Sequence, residues 1–80
     1  MNTYRIKAFG ITREIFGGKE LVIEVPGTSV QELRAVLYQQ YPRLQSLRSL
    51  LIAVNNEYAG EGDRLAESDE IALIPPVSGG

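Results

Sequence analysis

Six residues close the sequence, Pro75-Pro76-Val77-Ser78-Gly79-Gly80, and the group there that could do chemistry is the carboxylate of Gly80. The two prolines cannot donate to a sheet ladder and the two glycines carry no side chains, so the segment is expected to form a thin arm. An arm of that kind can enter a narrow channel of another protein. The carboxylate is a poor electrophile as it stands. A partner that used ATP to convert it to an acyl-adenylate would supply AMP as a good leaving group, which sulfur or another nucleophile could then replace. Taken alone, Gly79-Gly80 fits a frayed end or an expression scar equally well. The prolines before it and the elements leading into it favour the chemical reading.

Few other groups compete for a chemical role. The 80 residues include no His and no Cys, which removes the commonest general base, the thiol nucleophile, any disulfide and the soft metal ligands. A stand-alone hydrolase or metalloenzyme is therefore excluded as an expectation, and no bound metal or cofactor is expected. Lys and Arg number 8 against 10 Asp and Glu, for a net charge of −2. The cations are scattered from Arg5 to Arg64, and Tyr4, Tyr38, Tyr41 and Tyr58 form no basic, stacked stripe, so nucleic-acid binding is not expected. Leu50 to Val54 is far short of the roughly 20 apolar residues that span a bilayer, and Met1 to Arg5 has no signal-peptide core. A soluble cytoplasmic chain with one small core is the expectation.

The elements that must position the arm follow from periodicity. Tyr4, Ile6 and Ala8 alternate with Arg5 and Lys7 as a half-buried strand ending at Gly10. Ile11 to Phe16 is read as a crossover turn. Leu21, Ile23 and Val25 make a second strand, paired with the first and stopped by Pro26-Gly27. Ser29 and Glu32 have capping-box spacing, and Val30, Leu33, Leu37 and Tyr41, widened by Val36, predict a helix that Pro42 ends. Arg43 to Ser49 has turn-like spacing. Leu51 to Val54 reads as a short strand buried on both faces, Asn55-Asn56 as a turn, and Tyr58-Ala59 as a brief edge strand. Leu65 anchors the following loop, and Glu70 to Ile74 is the last strand. The fold class is α+β: a ubiquitin-like β-grasp in which a mixed sheet carries one main helix across one face, with residues 1–74 as the domain and 75–80 as its tail.

The segment from Asp69 to Gly80 resembles the C-terminal signature of the small, sulfur-carrying subunits of molybdopterin synthase, a β-grasp family. The likeness extends to Ala53-Val54-Asn55, to Ser29-Val30-Gln31-Glu32-Leu33-Arg34 and to Arg13-Glu14. Pro75-Pro76-Val77-Ser78-Gly79-Gly80 is its most specific part, since a bare Gly-Gly also ends thiamine-pathway carriers and ubiquitin-like modifiers. Two positions depart from the pattern: Ser68 replaces a frequent Gly, and Ile74 a frequent aromatic. The resemblance implies that an adenylating enzyme activates Gly80 with ATP and that a sulfurtransferase or cysteine desulfurase system installs a thiocarboxylate. It further implies that the loaded tail enters a larger catalytic subunit, in a heterotetramer of two small and two large chains, and gives sulfur to cyclic pyranopterin monophosphate. The small chain is then a cosubstrate, not a catalyst on its own. Carriers for thiamine, cysteine or transfer-RNA thiolation, and protein modifiers forming isopeptide bonds, remain alternatives.

Phe9, Tyr58 and Ile74 match contact positions of that family and are the candidates for a docking patch, continued by Pro75, Pro76, Val77 and Ser78. Phe9 and Ile74 serve equally well as core residues, whereas Tyr58 is expected to be exposed. Glu61, Asp63, Glu67, Asp69 and Glu70 could steer a basic partner, but they read better as a solvated face. No apolar pocket accompanies them to split two carboxyl pKa values. Gly17-Gly18 is a hairpin turn, since no Lys-Ser or Lys-Thr follows as a phosphate loop requires.

Overall fold

Alternating apolar residues build β1 (Asn2–Ala8), which buries Tyr4, Ile6 and Ala8. The computed structural model describes residues 1–76. β1 pairs antiparallel with β2 (Glu20–Val25), from Asn2 opposite Val25 to Lys7 opposite Glu20. Between them lies α1 (Ile11–Phe16), a six-residue helix where a plain crossover turn was expected. Thr12 accounts for its start: its hydroxyl donates to Phe9 O at 2.6 Å and accepts from Phe9 N–H at 2.8 Å. Gly17, at φ +78°, accounts for its stop, and the Phe16 ring packs edge-on against Tyr41 at 4.8 Å. Gly17-Gly18 thus closes a helix rather than forming a two-residue hairpin turn.

α2 (Val30–Gln40) begins where the cap was expected, with Ser29 Oγ accepting from Glu32 N–H at 3.1 Å. The Glu32 carboxylate accepts a hydrogen bond from the Ser29 hydroxyl at 2.9 Å. The first two helical N–H groups, of Val30 and Gln31, donate to the carbonyls of Asp63 and Glu61. The polar loop therefore completes the cap that local sequence began. Val30, Leu33 and Leu37 are buried, and Tyr38 is half-buried against the same core. A 3-10 turn, Pro42–Ser46, follows and buries Leu44.

β3 (Leu51–Val54) turns through Asn55 and Asn56, at φ +53° and +68°, into β4 (Glu57–Tyr58), one residue earlier than the expected edge strand. Two consecutive positive-φ residues give the turn whose twist suits a tight hairpin, and Asn tolerates that conformation. β5 (Ile71–Ile74) lies between β3, to which it is antiparallel, and β1, to which it is parallel. The sheet order is β2-β1-β5-β3-β4, with α2 and the core on one face. β3 is not buried on both sides: Ile52 faces the core, but Leu51 is 46% exposed on the other face, which no helix covers among the described residues.

Tyr4 anchors β1 to the start of the α2 region. Its ring is buried and its hydroxyl donates to Gly27 O at 3.0 Å. Burial, reinforced by the charges of Glu67, Glu32 and Asp69, raises its pKa above the ordinary value of 10.0. The folded chain therefore holds this proton after the unfolded chain has released it. The stabilisation is complete below about pH 10 and is lost as pH rises through the raised value. Tyr4→Phe is expected to lower stability by about 1 kcal/mol near neutrality through the lost hydrogen bond. Urea unfolding of both proteins at about pH 8 and about pH 11 is expected to show the gap narrowing at the higher pH.

Candidate functional site

One rung of the sheet organises the uncovered face. Lys7 stands beside Ala72, Ala72 opposite Ala53, and Ala53 opposite Tyr58, so a single row crosses β1, β5, β3 and β4. Side chains repeat every second residue along a strand, which puts Phe9, Ile74 and Glu70 on the same face as that row. The alanines form a low floor and the larger side chains its walls. Lys7, Phe9, Ala53, Asn56, Tyr58, Glu70, Ala72 and Ile74 line a concavity of ≈ 360 Å³. The three candidate docking residues therefore share one groove. Phe9 is 39% exposed and Tyr58 71%, while Ile74 is half-buried.

Local structure holds each of them. Thr12 ties down the backbone of Phe9 on both sides, and Arg13 places its guanidinium 5.6 Å from the Phe9 ring centre while its Nε donates to Ala8 O. Tyr58 follows the Asn55-Asn56 turn. Asn55 locks that turn by donating from Nδ2 to Asp69 and accepting from Glu70 N–H, both at 3.0 Å. Ile74 continues into Pro75, whose Cγ would lie 3.2 Å from a Cβ built on Gly10. Gly10, at φ +57° and ψ −132°, thus gives Pro75 room to lie over the start of α1. Pro75 and Pro76 are half-buried; Val77, Ser78, Gly79 and Gly80 lie outside the described residues.

The acidic run serves the loops that carry these positions. Glu61 pairs with Arg34 at 2.7 Å, Asp63 accepts from Gly60 N–H, Glu67 from Thr3 N–H, and Asp69 from Ala66 N–H. Glu70 pairs with Lys7, and this hydrogen bond, more than the accompanying charge attraction, raises the Lys7 pKa. Among the described residues no group of three or more carboxylates is placed to hold a metal ion.

Sequence reasoning missed Lys7, Asn56, Ala53 and Ala72 as groove residues. The outward phase of β1, with Lys7 two residues before Phe9, was a readable signal. The alanines carried none, because their place depends on strand order. Arg34 was also missed: it joins α2 to Glu61 and donates to Leu50 O at 2.7 Å, bracing the entry to β3.

A mixed five-stranded sheet gripping one long helix, with two prolines following its central last strand, defines a ubiquitin-like β-grasp protein. The sequence profile of the ThiS family matches residues 6–80, and the chain belongs to that family. It is 38% identical over 84 residues to the molybdopterin synthase sulfur carrier subunit of Caenorhabditis briggsae, covering 100% of both chains. Its fold superposes on the small archaeal modifier protein 1 of Methanosarcina acetivorans with a TM-score of 0.80 at 29% identity, covering 100% and 98% of the two chains. It also matches a chain in the complex of subunits 1 and 2 of the molybdopterin-converting factor from Helicobacter pylori, with a TM-score of 0.68 at 28% identity over 98% and 99%. Among the described residues no helix is long and apolar enough to cross a membrane.

Two glycines separate backbone strain from the contact with Pro75. Gly10→Ala and Gly17→Ala each force a side chain onto a positive φ, at about 1–3 kcal/mol. Only at Gly10 does the new methyl also press on Pro75. Both variants are expected to lower the urea midpoint, and Gly10→Ala alone is expected to shift the amide resonances of Ile74 and of the residues lining the groove.

Proposed function

We propose that this chain is the sulfur-donating subunit of a molybdopterin synthase, with the carboxylate of Gly80 as its reactive group. The observation that carries this reading is the full-length likeness to a curated sulfur carrier subunit, which spans the whole of both chains. The residues support it by what they offer and what they lack. With no His or Cys, the chain brings no thiol nucleophile and no imidazole base, and the Gly-Gly motif offers a carboxylate unhindered by neighbouring side chains.

The chemistry then runs through that carboxylate. Attack of its oxygen on the α-phosphorus of ATP, in an activating enzyme, releases pyrophosphate and leaves an acyl-adenylate. A persulfide carried by a sulfurtransferase or cysteine desulfurase system displaces AMP to give an acyl disulfide, and a thiol of that system then attacks the enzyme-side sulfur, forming a disulfide there and releasing the thiocarboxylate. In the large subunit the sulfur bonds to cyclic pyranopterin monophosphate, and water hydrolyses the acyl–sulfur bond, leaving the sulfur on the pterin and returning Gly80 to the carboxylate. The groove of Phe9, Tyr58 and Ile74, continued by Pro75 to Ser78, is the surface that docks on these partners: exposed aromatic and aliphatic side chains beside a low floor suit an interface anchor. A heterotetramer of two small and two large chains in the cytoplasm is the assembly this reading implies.

A second reading has its own support. The fold match to a small archaeal modifier protein favours a role in which the same activated Gly80 forms an isopeptide bond with a lysine.

Intact mass spectrometry of the chain purified without acid or reductant is expected to show the mass gain of one oxygen-to-sulfur exchange. Incubation with the large subunit and the pyranopterin precursor is expected to reverse it as the dithiolene product forms. A loaded chain that this pair cannot discharge would move the role to another sulfur acceptor, and lysine adducts instead would favour the modifier. Gly80→Ala, or one residue added after Gly80, is expected to abolish sulfur transfer while leaving the urea midpoint unchanged.

Ile74→Asp is expected to weaken association with the large subunit by about tenfold or more, since it buries a charge at the interface. Isothermal titration calorimetry checks this, with circular dichroism confirming that the half-exposed site tolerates the change.

A further inference from the structure

The sheet ends at β2 in backbone groups that its ladder with β1 does not use. Ala8 N–H donates to Lys19 O at 2.8 Å, which makes Ala8 and Lys19 a hydrogen-bonded pair. Antiparallel ladders alternate, so Lys7–Glu20, Arg5–Val22 and Thr3–Glu24 are the non-bonded pairs. The N–H and C=O groups of Glu20, Val22 and Glu24 therefore point away from β1, toward the open side of the end strand. The same phase is visible on β1, where Thr3 N–H turns away from β2 and donates to Glu67.

The side chains at these three positions have a definite pattern. Val22 is 57% exposed and stands between Glu20 and Glu24 on the face that carries no helix. Charge alternates across the strands, from Glu70 at the entry to β5, to Lys7 on β1, to Glu20 on β2. The row stops on an acid. A second copy added antiparallel about Val22 would set Glu20 against Glu24 twice, and directly opposed like charges destabilise a strand pair. A strand that continues the alternation brings cations.

We propose that the β2 edge is a second docking site, which takes an extended segment of a partner protein by strand addition. Lys or Arg of that segment lies opposite Glu20 and Glu24, and an aliphatic residue lies opposite Val22. Main-chain hydrogen bonds hold the segment, and the charges select it and set its register. Because β1 stands between β2 and β5, the occupant leaves Tyr58, Ile74 and Pro75 uncovered, so a chain held by this edge still presents its C-terminal segment. The proposal does not depend on the sulfur-carrier reading.

The test titrates the isotope-labelled full chain with the peptide acetyl-Thr-Lys-Thr-Val-Thr-Lys-Thr-amide and with its counterpart carrying Glu for both lysines. Amide shifts and hydrogen-exchange protection are expected at Glu20, Val22 and Glu24, with a preference of about fivefold or more for the lysine peptide. The double variant Glu20→Lys/Glu24→Lys is expected to reverse that preference. Val22→Pro removes an outward N–H without touching the β1 ladder, so it is expected to lose binding while keeping the native circular dichroism spectrum. Equal binding of the two peptides, no saturable shift up to about millimolar peptide, shifts confined to another surface, or self-association through β2 in sedimentation would each overturn the proposal.

Discussion

Parallel pairing of β1 with β5 is the constraint on which the rest of this structure depends. Parallel neighbours cannot be joined by a tight turn, so the chain between them must cross the sheet. Here that chain crosses one face, carrying α2 and the 3-10 turn with it, and seals Tyr4, Ile6, Ile71 and Leu73 beneath them. The opposite face is left without a helix. The same pairing brings Pro75 against Gly10, near the end of β1, so the first and last thirds of the sequence jointly set where the C-terminal segment leaves the sheet.

The uncovered face is apolar where β5 and β3 meet and charged toward β2. Apolar residues in a central strand bury themselves on both sides only when both sides are covered. In this sheet Leu51, Ala53, Ala72 and Ile74 lie on the uncovered face, and the apolar surface they make with Phe9 and Tyr58 suits contact with another protein. The proposed delivery of sulfur through Gly80 would draw on such a surface, because a terminal glycine has no side chain of its own to be recognised.

Electrostatics acts locally in this chain. The acidic residues between Glu61 and Glu70 take up backbone N–H groups and the cations Arg34 and Lys7, and the carbonyls of the same loop cap α2. What reads in sequence as a solvated acidic face is largely the set of acceptors that orders a loop lacking regular structure. Exposed pairs such as Lys7 with Glu70 add little stability. Their value lies in register, since they align β1 with the entry to β5.

Much of this was legible in the residues. Period-2 alternation marked β1 and β2, and the Ser29 cap and the Val30, Leu33, Leu37 stripe marked α2; the two prolines with two glycines pointed to the end now proposed as reactive. Each of these signals is local: a strand, a cap or a terminus is specified by side chains within a few residues. The short α1 was missed because its start rests on Thr12 and its packing on Tyr41, 25 residues beyond Phe16. The open side of β3, the floor of Ala53 and Ala72 and the brace of Arg34 were likewise out of reach. By itself the sequence marked the main strands and the long helix and pointed to the terminal carboxylate as the candidate reactive group; tertiary structure alone decided which residues become neighbours, because that depends on strand order and on which face the crossover covers.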